Sequence, residues 1–200
     1  MKPIFIGIAG GTGVGKSTLC FGLLENHPDT VTIIHLDDYF KRNEEFPMLN
    51  DLKNADHPDV VRWDDLIKDL QLLKRGKAIE VQTKSERLNP RYKEIGKILV
   101  EIAPKPIILV EGYLALWHKD VRQFFISSIY LDMPHPVRYA RRVHFKLPEY
   151  ETKVLIPMHK EYIEPTKQYA KHVLEVSKLS TQKVLVAATK LLEPIFNASD

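Results

Sequence analysis

Cysteine is nearly absent from this sequence. The one that occurs, Cys20, has no second cysteine with which to form an internal disulfide. A lone cysteine is typical of proteins from reducing compartments, so we expect a cytoplasmic location. The apolar stretch in MKPIFIGIAGG is short and runs into glycines. This pattern does not match a secretory signal peptide.

Long apolar runs and a strong charge of either sign are also missing. No stretch of 18 apolar residues occurs, so we expect no membrane span. The sequence has 29 Lys and Arg against 26 Asp and Glu, which gives a formal net charge of +3. Because the lysines are scattered, this small excess fits an anionic ligand and does not indicate a nucleic-acid groove.

The sequence alternates short apolar runs with longer amphipathic stretches and contains no internal repeat. Its 200 residues predict one domain, residues 1–200. The alternation predicts an α/β fold of the P-loop NTPase type, a doubly wound parallel sheet with helices on both faces. Strands are predicted at 4–8, 31–36, 107–110, 126–131 and 172–176. Helices are predicted at 16–26, 58–75, 137–145, 160–170 and 181–192.

Two smaller elements interrupt this alternation. Residues 78–83 and 97–102 have the alternating pattern of a β-hairpin, which would form a small insertion at about 77–103. Residues from about 142 to 165 would form a short helical lid. We expect both elements to lie inside the single domain.

The most specific motif follows the first predicted strand. It matches the phosphate-loop pattern G-x-x-x-x-G-K-[ST] without exception. Glycines allow backbone N–H groups to surround a polyphosphate, and the following helix adds amide donors and a partial positive charge. The predicted nucleotide-binding residues are Gly10, Gly11, Thr12, Gly13, Val14, Gly15, Lys16, Ser17 and Thr18. Lys16 would contact the β- and γ-phosphates, and the Ser17 hydroxyl would bind Mg²⁺.

A phosphate loop alone does not distinguish a GTPase, a motor ATPase and a small-molecule kinase. The sequence contains neither the N-K-x-D nor the D-x-x-G motif of common GTPases. Motor and transporter ATPases are usually longer and work as domain assemblies. The short chain therefore favours a kinase, with ATP or GTP as donor and Mg²⁺ as cofactor.

Carboxylates follow two of the predicted core strands. Asp37 and Asp38 follow one strand, and Glu111 follows another. Strand ends and the phosphate loop share one crevice in an open parallel sheet, so these carboxylates should face the γ-phosphate. One or both of these sites would hold Mg²⁺, and one carboxylate would act as general base. A solvated turn at Asp37 and Asp38 and a structural carboxylate at Glu111 are the alternatives.

Three arginines follow the fourth core strand. Arg138, Arg141 and Arg142 lie at positions i, i+3 and i+4 of a predicted helix, so they should share one face. Such a face would interact with a triphosphate and a transferring phosphoryl group. A solvated basic face is the alternative.

These pieces together resemble the uridine–cytidine kinases, within a wider group that includes nicotinamide riboside kinases and phosphoribulokinases. The matching segments occur in family order and cover most of residues 4–176. They are GIAGGT (7–12), LDDYFK (36–41), DHPD (56–59), VEG (110–112), the arginine segment 138–143 and PTKQYA (165–170).

The resemblance implies specific roles for several residues. Asp37 is similar to the family's catalytic base and magnesium neighbour, and Glu111 to its second magnesium carboxylate. Asp56 resembles the residue that receives the ribose hydroxyls, with a helix cap before Pro58 as the alternative. Further roles are implied for Tyr39 in binding substrate, for Arg138 and Arg141 in contacting substrate or phosphate, and for Arg142 at the start of the lid.

Two departures from the family leave the acceptor open. Uridine kinases carry a Pro-x-Tyr-Asp-Phe stretch, followed by a histidine, in the hairpin region that contacts the base. Residues 78–106 contain neither that stretch nor a histidine. The family usually has further arginines in the lid, but none occurs here between Arg142 and Pro165. The resemblance therefore implies transfer to the 5′-hydroxyl of uridine or cytidine, or of nicotinamide riboside or another small alcohol. A regulatory nucleotide-binding module without an acceptor is the alternative from another class. We expect no nucleic-acid or membrane partner, and whether the chain forms a homo-oligomer stays open.

Overall fold

The computed structural model describes residues 2–85, 87–141 and 147–197. Five strands form one sheet in the order β2-β7-β1-β8-β9, and every neighbouring pair is parallel. These strands are β1 (Ile4–Gly10), β2 (Val31–His35), β7 (Ile107–Glu111), β8 (Phe125–Asp132) and β9 (His172–Glu175). All five predicted core strands are confirmed, with ends that differ by one or two residues.

Helices cover both faces of this sheet. The helices outside the lid are α1 (Lys16–Asn26), α2 (Trp63–Lys74), α3 (Tyr92–Ile95), α4 (Lys119–Arg122), α5 (His135–Arg141) and α8 (Thr181–Phe196). Ile6 and Ile8 of β1 belong to a core cluster with residues of α1 and α8, whereas Phe5 belongs to a cluster with residues of α2. Alternate residues of a strand point to opposite faces, so the central strand supplies both cores. The prediction of a sheet covered on both faces is confirmed.

The helix predicted at 58–75 is wrong at its beginning. Pro58–Val60 forms a separate 3₁₀ turn, and α2 begins only at Trp63. Between them, Val61 makes an antiparallel bridge with Phe40, which requires extended backbone and therefore interrupts the helix. The predicted end is confirmed, because Gly76 has a positive φ of 75° directly after the helix.

The predicted hairpin is confirmed. Strands β5 (Ile79–Thr83) and β6 (Ile98–Ile102) pair antiparallel, and the loop between them contains α3. A second, smaller hairpin that the sequence pattern did not reveal joins β3 (Met48–Leu49) to β4 (Leu52–Lys53). It precedes the segment that contains Asp56.

The lid is helical, as predicted, in the part that the structure describes. Residues 142–146, on which Arg142 and the end of the predicted helix 137–145 fall, lie outside the described residues. Residues 148–169 are helical throughout. They comprise α6 (Pro148–Tyr150), α7 (Ile156–Met158), wider π-helical turns at Glu151–Leu155 and His159–Ile163, and a 3₁₀ turn at Glu164–Tyr169. Proline has no N–H to donate, so Pro157 interrupts the α-helical hydrogen-bond ladder between the two wider turns.

In the part of the chain that the structure describes, no helix combines the length and apolar character that crossing a bilayer requires.

Candidate active site

The phosphate loop connects β1 to α1 at the carboxyl edge of the sheet. Gly13 and Gly15 have positive φ values of 79° and 99°, a conformation that glycine adopts without a steric penalty. Gly15 is the N-cap of α1, and no described side chain caps this helix or places a carboxylate in its first turn. The first amide groups of α1 are therefore available to an anion, as the motif predicts.

Lys16 lies folded against this loop. Its side chain is buried, and its Nζ donates a hydrogen bond of 3.3 Å to the carbonyl oxygen of Gly11. Burial lowers the pKa of Lys16, while the nearby Glu111 and Asp37 carboxylates oppose that change. A buried ammonium group beside the helix start is suited to contacting a polyphosphate.

Glu111 is held by two partners at the end of β7. Its Oε1 accepts a hydrogen bond of 3.0 Å from the Ser17 hydroxyl and lies 2.7 Å from His35 Nδ1. Burial alone would raise the pKa of Glu111, but the hydrogen bond and charge of His35 and the charge of Lys16 outweigh it, so that the pKa is lowered. Glu111 is therefore an ionised carboxylate in a buried site.

Sequence reasoning missed His35. Its pKa is raised, because the hydrogen bond and charge of Glu111 overcome the effect of burial. His35 and Glu111 are directly paired across β2 and β7. The pairing could not be read from the sequence, because which strand lies beside β2 depends on the order of the sheet.

The oxygen groups near the phosphate loop suit Mg²⁺. They are the Ser17 hydroxyl, the Glu111 carboxylate and the Asp37 carboxylate, which line one cavity of about 530 Å³. Within residues 2–85, 87–141 and 147–197, no three His, Cys, Asp or Glu side chains form a ready metal cage. Magnesium usually keeps several waters and shares substrate phosphates, so two carboxylates and a hydroxyl are an adequate protein contribution.

Asp37 and Asp38 have different surroundings. Asp38 is buried, and its Oδ1 accepts a hydrogen bond of 3.1 Å from the backbone N–H of Lys84. Burial raises the pKa of Asp38. Asp37 is partly exposed, and its Oδ2 lies 3.3 Å from Lys84 Nζ. Asp37 is thus the more accessible of the two carboxylates. Asp38 is hydrogen-bonded to the backbone of the hairpin loop.

Lys84, a residue that sequence reasoning overlooked, comes directly after β5. It reaches Asp37 with its side chain and Asp38 with its backbone, and its ammonium group lies 5.3 Å from the Phe40 ring centre. Arg87 of the same loop pairs with Glu25 of α1 at 2.8 Å. The hairpin loop is therefore attached to both the carboxylate edge and α1.

A second cavity, of about 560 Å³, lies on the other side of the phosphate loop. Its lining comes from the loop, from α1 and from the start of α8, and includes Gly13, Gly15, Thr18, Arg141, Leu179 and Leu185. A cavity that adjoins the phosphate loop and has apolar side chains in its wall is suited to the base of a nucleoside triphosphate.

The structure separates Arg138 from Arg141, which were predicted to share a face. Arg138 is only 2% exposed, and its guanidinium donates to the carbonyl oxygens of Met133 at 3.0 Å and of Thr12 at 3.2 Å. A Cβ at Gly11 would lie 2.2 Å from Arg138 Nη1, so the loop packs directly on the guanidinium. Arg141 is exposed, and its Nη2 lies 3.4 Å from the carbonyl oxygen of Ser177.

Asp56 follows the hairpin of β3 and β4 and is 8% exposed. Its Oδ2 accepts a hydrogen bond of 2.7 Å from the Tyr150 hydroxyl. The 3₁₀ turn after it is capped by His57, whose Nδ1 accepts from the backbone N–H of Asp59 at 3.1 Å. The capping role considered for Asp56 in the sequence thus belongs to its neighbour.

Tyr113 is buried beside the segment that contains Asp56. Burial raises the pKa of its hydroxyl, and the negative charges of Asp56 and Asp37 add to that effect. Its hydroxyl donates a hydrogen bond of 2.5 Å to the carbonyl oxygen of Ala55. Tyr113 therefore contacts the backbone directly before Asp56, within range of the charge of both carboxylates.

Tyr39 is buried, and its hydroxyl donates a hydrogen bond of 2.8 Å to Asp69 of α2. It lines a separate cavity of about 490 Å³ between the hairpin and α2. The next residue, Phe40, packs edge-on against Tyr113 with 6.0 Å between ring centres. Phe40 therefore contacts Tyr113, whereas Tyr39, the predicted substrate contact, is hydrogen-bonded to Asp69 of α2.

Comparison with known proteins shows the family of this chain. The model of the Phosphoribulokinase / Uridine kinase family matches residues 5–184. The chain belongs to this family. It is 35% identical over 182 residues to a uridine kinase of Clostridium novyi (strain NT), covering 85% of this chain and 86% of that protein. It is 32% identical to a uridine kinase of Macrococcus caseolyticus (strain JCSC5402), covering 95% and 96%.

Solved structures support the kinase fold of this family member. A protein described as a possible uridine kinase from Bacillus stearothermophilus superposes with a TM-score of 0.61 at 17% identity, covering 87% of this chain and 89% of that one. A sugar kinase from Janibacter sp. HTCC2649 gives a TM-score of 0.53 at 15% identity, with 96% and 95% covered. At these identities the likeness concerns the fold.

His159 belongs to the second of the wider turns of the lid. Its Nδ1 is buried without a hydrogen-bond partner among the described residues. Burial lowers the pKa of His159 to about 3, and the charges of Arg138, His135 and Lys16 act in the same direction, with Asp132 opposing them. The imidazole is therefore neutral in the folded protein at physiological pH.

We expect Arg138→Met to lower the free energy of unfolding by about 2–4 kcal/mol, because it leaves buried carbonyl groups without their donor. Equilibrium urea denaturation measures this change. Arg141→Met, in the same helix but exposed, is the matched control and should stay within about 0.5 kcal/mol. Equal small effects of both substitutions would show that Arg138 does not hold the phosphate loop.

We expect part of the acid sensitivity of this protein to come from His159. Its folded pKa of about 3 lies below the ordinary value of 6.5, so the stability it contributes is present above pH 6.5 and is lost as the pH falls toward 3. Between pH 7 and pH 5 this loss should be about 1–2 kcal/mol.

Urea denaturation at the two pH values tests this expectation. His159→Gln should make the free energy of unfolding less dependent on pH. His172→Gln, on edge strand β9, is the control for the loss of an imidazole and should leave the pH dependence unchanged. An unchanged slope in His159→Gln would rule out His159 as the source.

Proposed function

We propose that this protein is a nucleoside kinase that transfers the γ-phosphoryl group of ATP to the 5′-hydroxyl of uridine or cytidine. The observation that carries the proposal is the position of Asp37. It lines one cavity with Ser17 of the phosphate loop and Glu111, and its charge and that of Asp56 both act on the buried Tyr113 hydroxyl. A carboxylate beside a phosphate-binding loop is suited to take the proton of an attacking hydroxyl during phosphorylation.

The donor side of the reaction depends on the loop and α1. The amide groups at the start of α1 and the Lys16 ammonium group would bind the β- and γ-phosphates and stabilise the charge that develops there. Ser17, Glu111 and Asp37 would hold Mg²⁺, which neutralises phosphate charge when bound. His35 orients Glu111, and Arg138 supports the loop from beneath.

On the acceptor side, Asp56 would accept hydrogen bonds from the ribose hydroxyls and so place the 5′-hydroxyl near Asp37. Asp37 takes the proton as the 5′-oxygen bonds to the γ-phosphorus. The bond from that phosphorus to the β,γ-bridging oxygen breaks, and ADP leaves. Relatives named uridine kinase at 32–35% identity support this acceptor class.

Nicotinamide riboside is the second acceptor to consider, because the hairpin lacks the family's base-reading stretch. The hairpin loop contributes Lys84, Arg87 and Lys93 to the wall of the cavity that Ser17, Asp37 and Glu111 also line. The same cavity is lined by the carboxylates of Asp37, Asp38 and Glu111, so its charges do not favour a neutral base over the positively charged nicotinamide ring. A binding module without an acceptor would need neither a general base at Asp37 nor the buried carboxylate of Asp56.

We expect the enzyme to discriminate between sugars more strongly than between bases. ADP release measured with uridine, cytidine, 2′-deoxyuridine and nicotinamide riboside tests this. Loss of the 2′-hydroxyl removes one of the donors to the buried Asp56 carboxylate and should lower kcat/KM by about 5- to 150-fold. Asp56→Ala should narrow this preference, whereas Asp59→Ala, at an exposed carboxylate three residues away, should not. Equal rates for the ribo and deoxy compounds would contradict the assignment of Asp56.

We expect Asp37→Asn to lower kcat by about 100-fold or more while ATP still binds, because general-base catalysis typically contributes about 10²–10⁴. Steady-state kinetics and ATP titration measure the two properties. Asp38→Asn is the matched control, since its amide oxygen can still accept from the Lys84 N–H. A larger loss in Asp38→Asn than in Asp37→Asn would transfer the role to Asp38.

A further inference from the structure

The lid segment contacts Asp56 through the side chain of Tyr150. Tyr150 ends α6, and its hydroxyl lies between Asp56 and the backbone before it. The hydroxyl donates to Asp56 Oδ2 at 2.7 Å and accepts from the backbone N–H of Ala55 at 3.0 Å. Because one phenol bonds both the carboxylate and its backbone, it restricts the orientation of the carboxylate.

Further contacts hold the same segment against the lid. Asn50 Nδ2 donates to the carbonyl oxygen of Lys153 at 2.8 Å, and Asn54 Nδ2 lies 3.1 Å from Met158 Sδ. Asn54 Oδ1 in turn accepts from the backbone N–H of Asp56 at 3.1 Å. Residues 50–56 are thus attached to the lid at both ends, and Tyr150 provides the contact that includes the carboxylate.

The orientation of Asp56 affects how well it distinguishes sugars. A buried carboxylate fixed in one plane offers its remaining lone pairs in fixed directions, so a missing hydroxyl leaves an acceptor unpaired. A carboxylate free to rotate can turn toward water or toward the hydroxyl that remains. Fixing the plane therefore increases the difference between ribo and deoxy substrates.

We propose that Tyr150 is a positioning residue that holds Asp56 for the sugar hydroxyls, so that the lid sets the sugar specificity of this kinase. The proposal rests on the proposed function of Asp56 as the ribose acceptor. Tyr150 acts through Asp56, and the base and the phosphoryl donor are bound by other residues. The contribution of Tyr150 should therefore appear in the ratio of kcat/KM between the ribo and deoxy acceptors more than in the kcat of either one.

The test is Tyr150→Phe, which removes the hydroxyl and keeps the ring. We expect the ratio of kcat/KM for uridine to that for 2′-deoxyuridine to fall by about 3- to 10-fold, as for the loss of one hydrogen bond. The KM for ATP and the kcat with uridine should stay within about threefold of the unmodified enzyme. Thermal unfolding of each variant reports whether the lid remains docked.

Tyr162→Phe is the matched control. Tyr162 lies in the same lid segment and contacts the same region, with 5.0 Å between its ring centre and that of His57. Its hydroxyl makes no hydrogen bond to Asp56 among those of the described residues, so its removal should leave the sugar ratio unchanged. If both substitutions lower the ratio equally, or Tyr150→Phe lowers both acceptors equally, Tyr150 only stabilises the lid and the inference is overturned.

Asp56→Ala separates this inference from the function on which it rests. If Asp56→Ala abolishes the sugar preference and Tyr150→Phe leaves it intact, the proposed function stands and the inference fails. If the unmodified enzyme shows no preference, or Asp56→Ala leaves the preference unchanged, the assignment of Asp56 fails and the inference fails with it. A reduced ratio in both variants, with Tyr162→Phe unchanged, supports the inference.

Discussion

The position of β7 between β1 and β2 is the constraint on which the rest of this site depends. Its pairing with both neighbours brings three chain segments to one edge: the phosphate loop after β1, Asp37 after β2 and Glu111 at the end of β7. Parallel pairing makes their carboxyl ends coincide. An antiparallel partner at this place would put its own carboxyl end at the opposite edge and remove Glu111 from the site.

Charge balance explains why so many ionisable groups can be buried at this edge. Lys16, Glu111 and His35 are all largely removed from solvent, and each lies near a group of opposite charge. An unpaired buried charge is costly, and removing one partner of such a set leaves the others uncompensated. The phosphate loop is further supported by Arg138, whose buried guanidinium donates hydrogen bonds to backbone carbonyl oxygens.

The acceptor side is assembled differently from the donor side. The donor side lies on the rigid sheet edge, whereas Asp56 lies on a segment whose position depends on contacts with the lid. The hairpin contributes Lys84 and Arg87 from a third direction. Such an arrangement allows acceptor specificity to vary within a family while the phosphoryl-transfer groups stay in place, because the variable parts are loops attached to an unchanged sheet.

The sequence by itself determined what depends on neighbours along the chain. The five core strands, the hairpin, the helix at 16–26 and the phosphate loop were all predictable, because hydrophobic period, glycine placement and motif spacing are local properties. Asp37 and Glu111 were found for the same reason, as carboxylates at predicted strand ends. Only the tertiary structure decided which side chains meet. It pairs His35 with Glu111, Arg138 with Thr12 and Tyr150 with Asp56, contacts that span 76, 126 and 94 residues. The helical spacing of Arg138 and Arg141 could not show that one is buried under a loop and the other exposed, because burial depends on packing between segments that lie far apart in the chain.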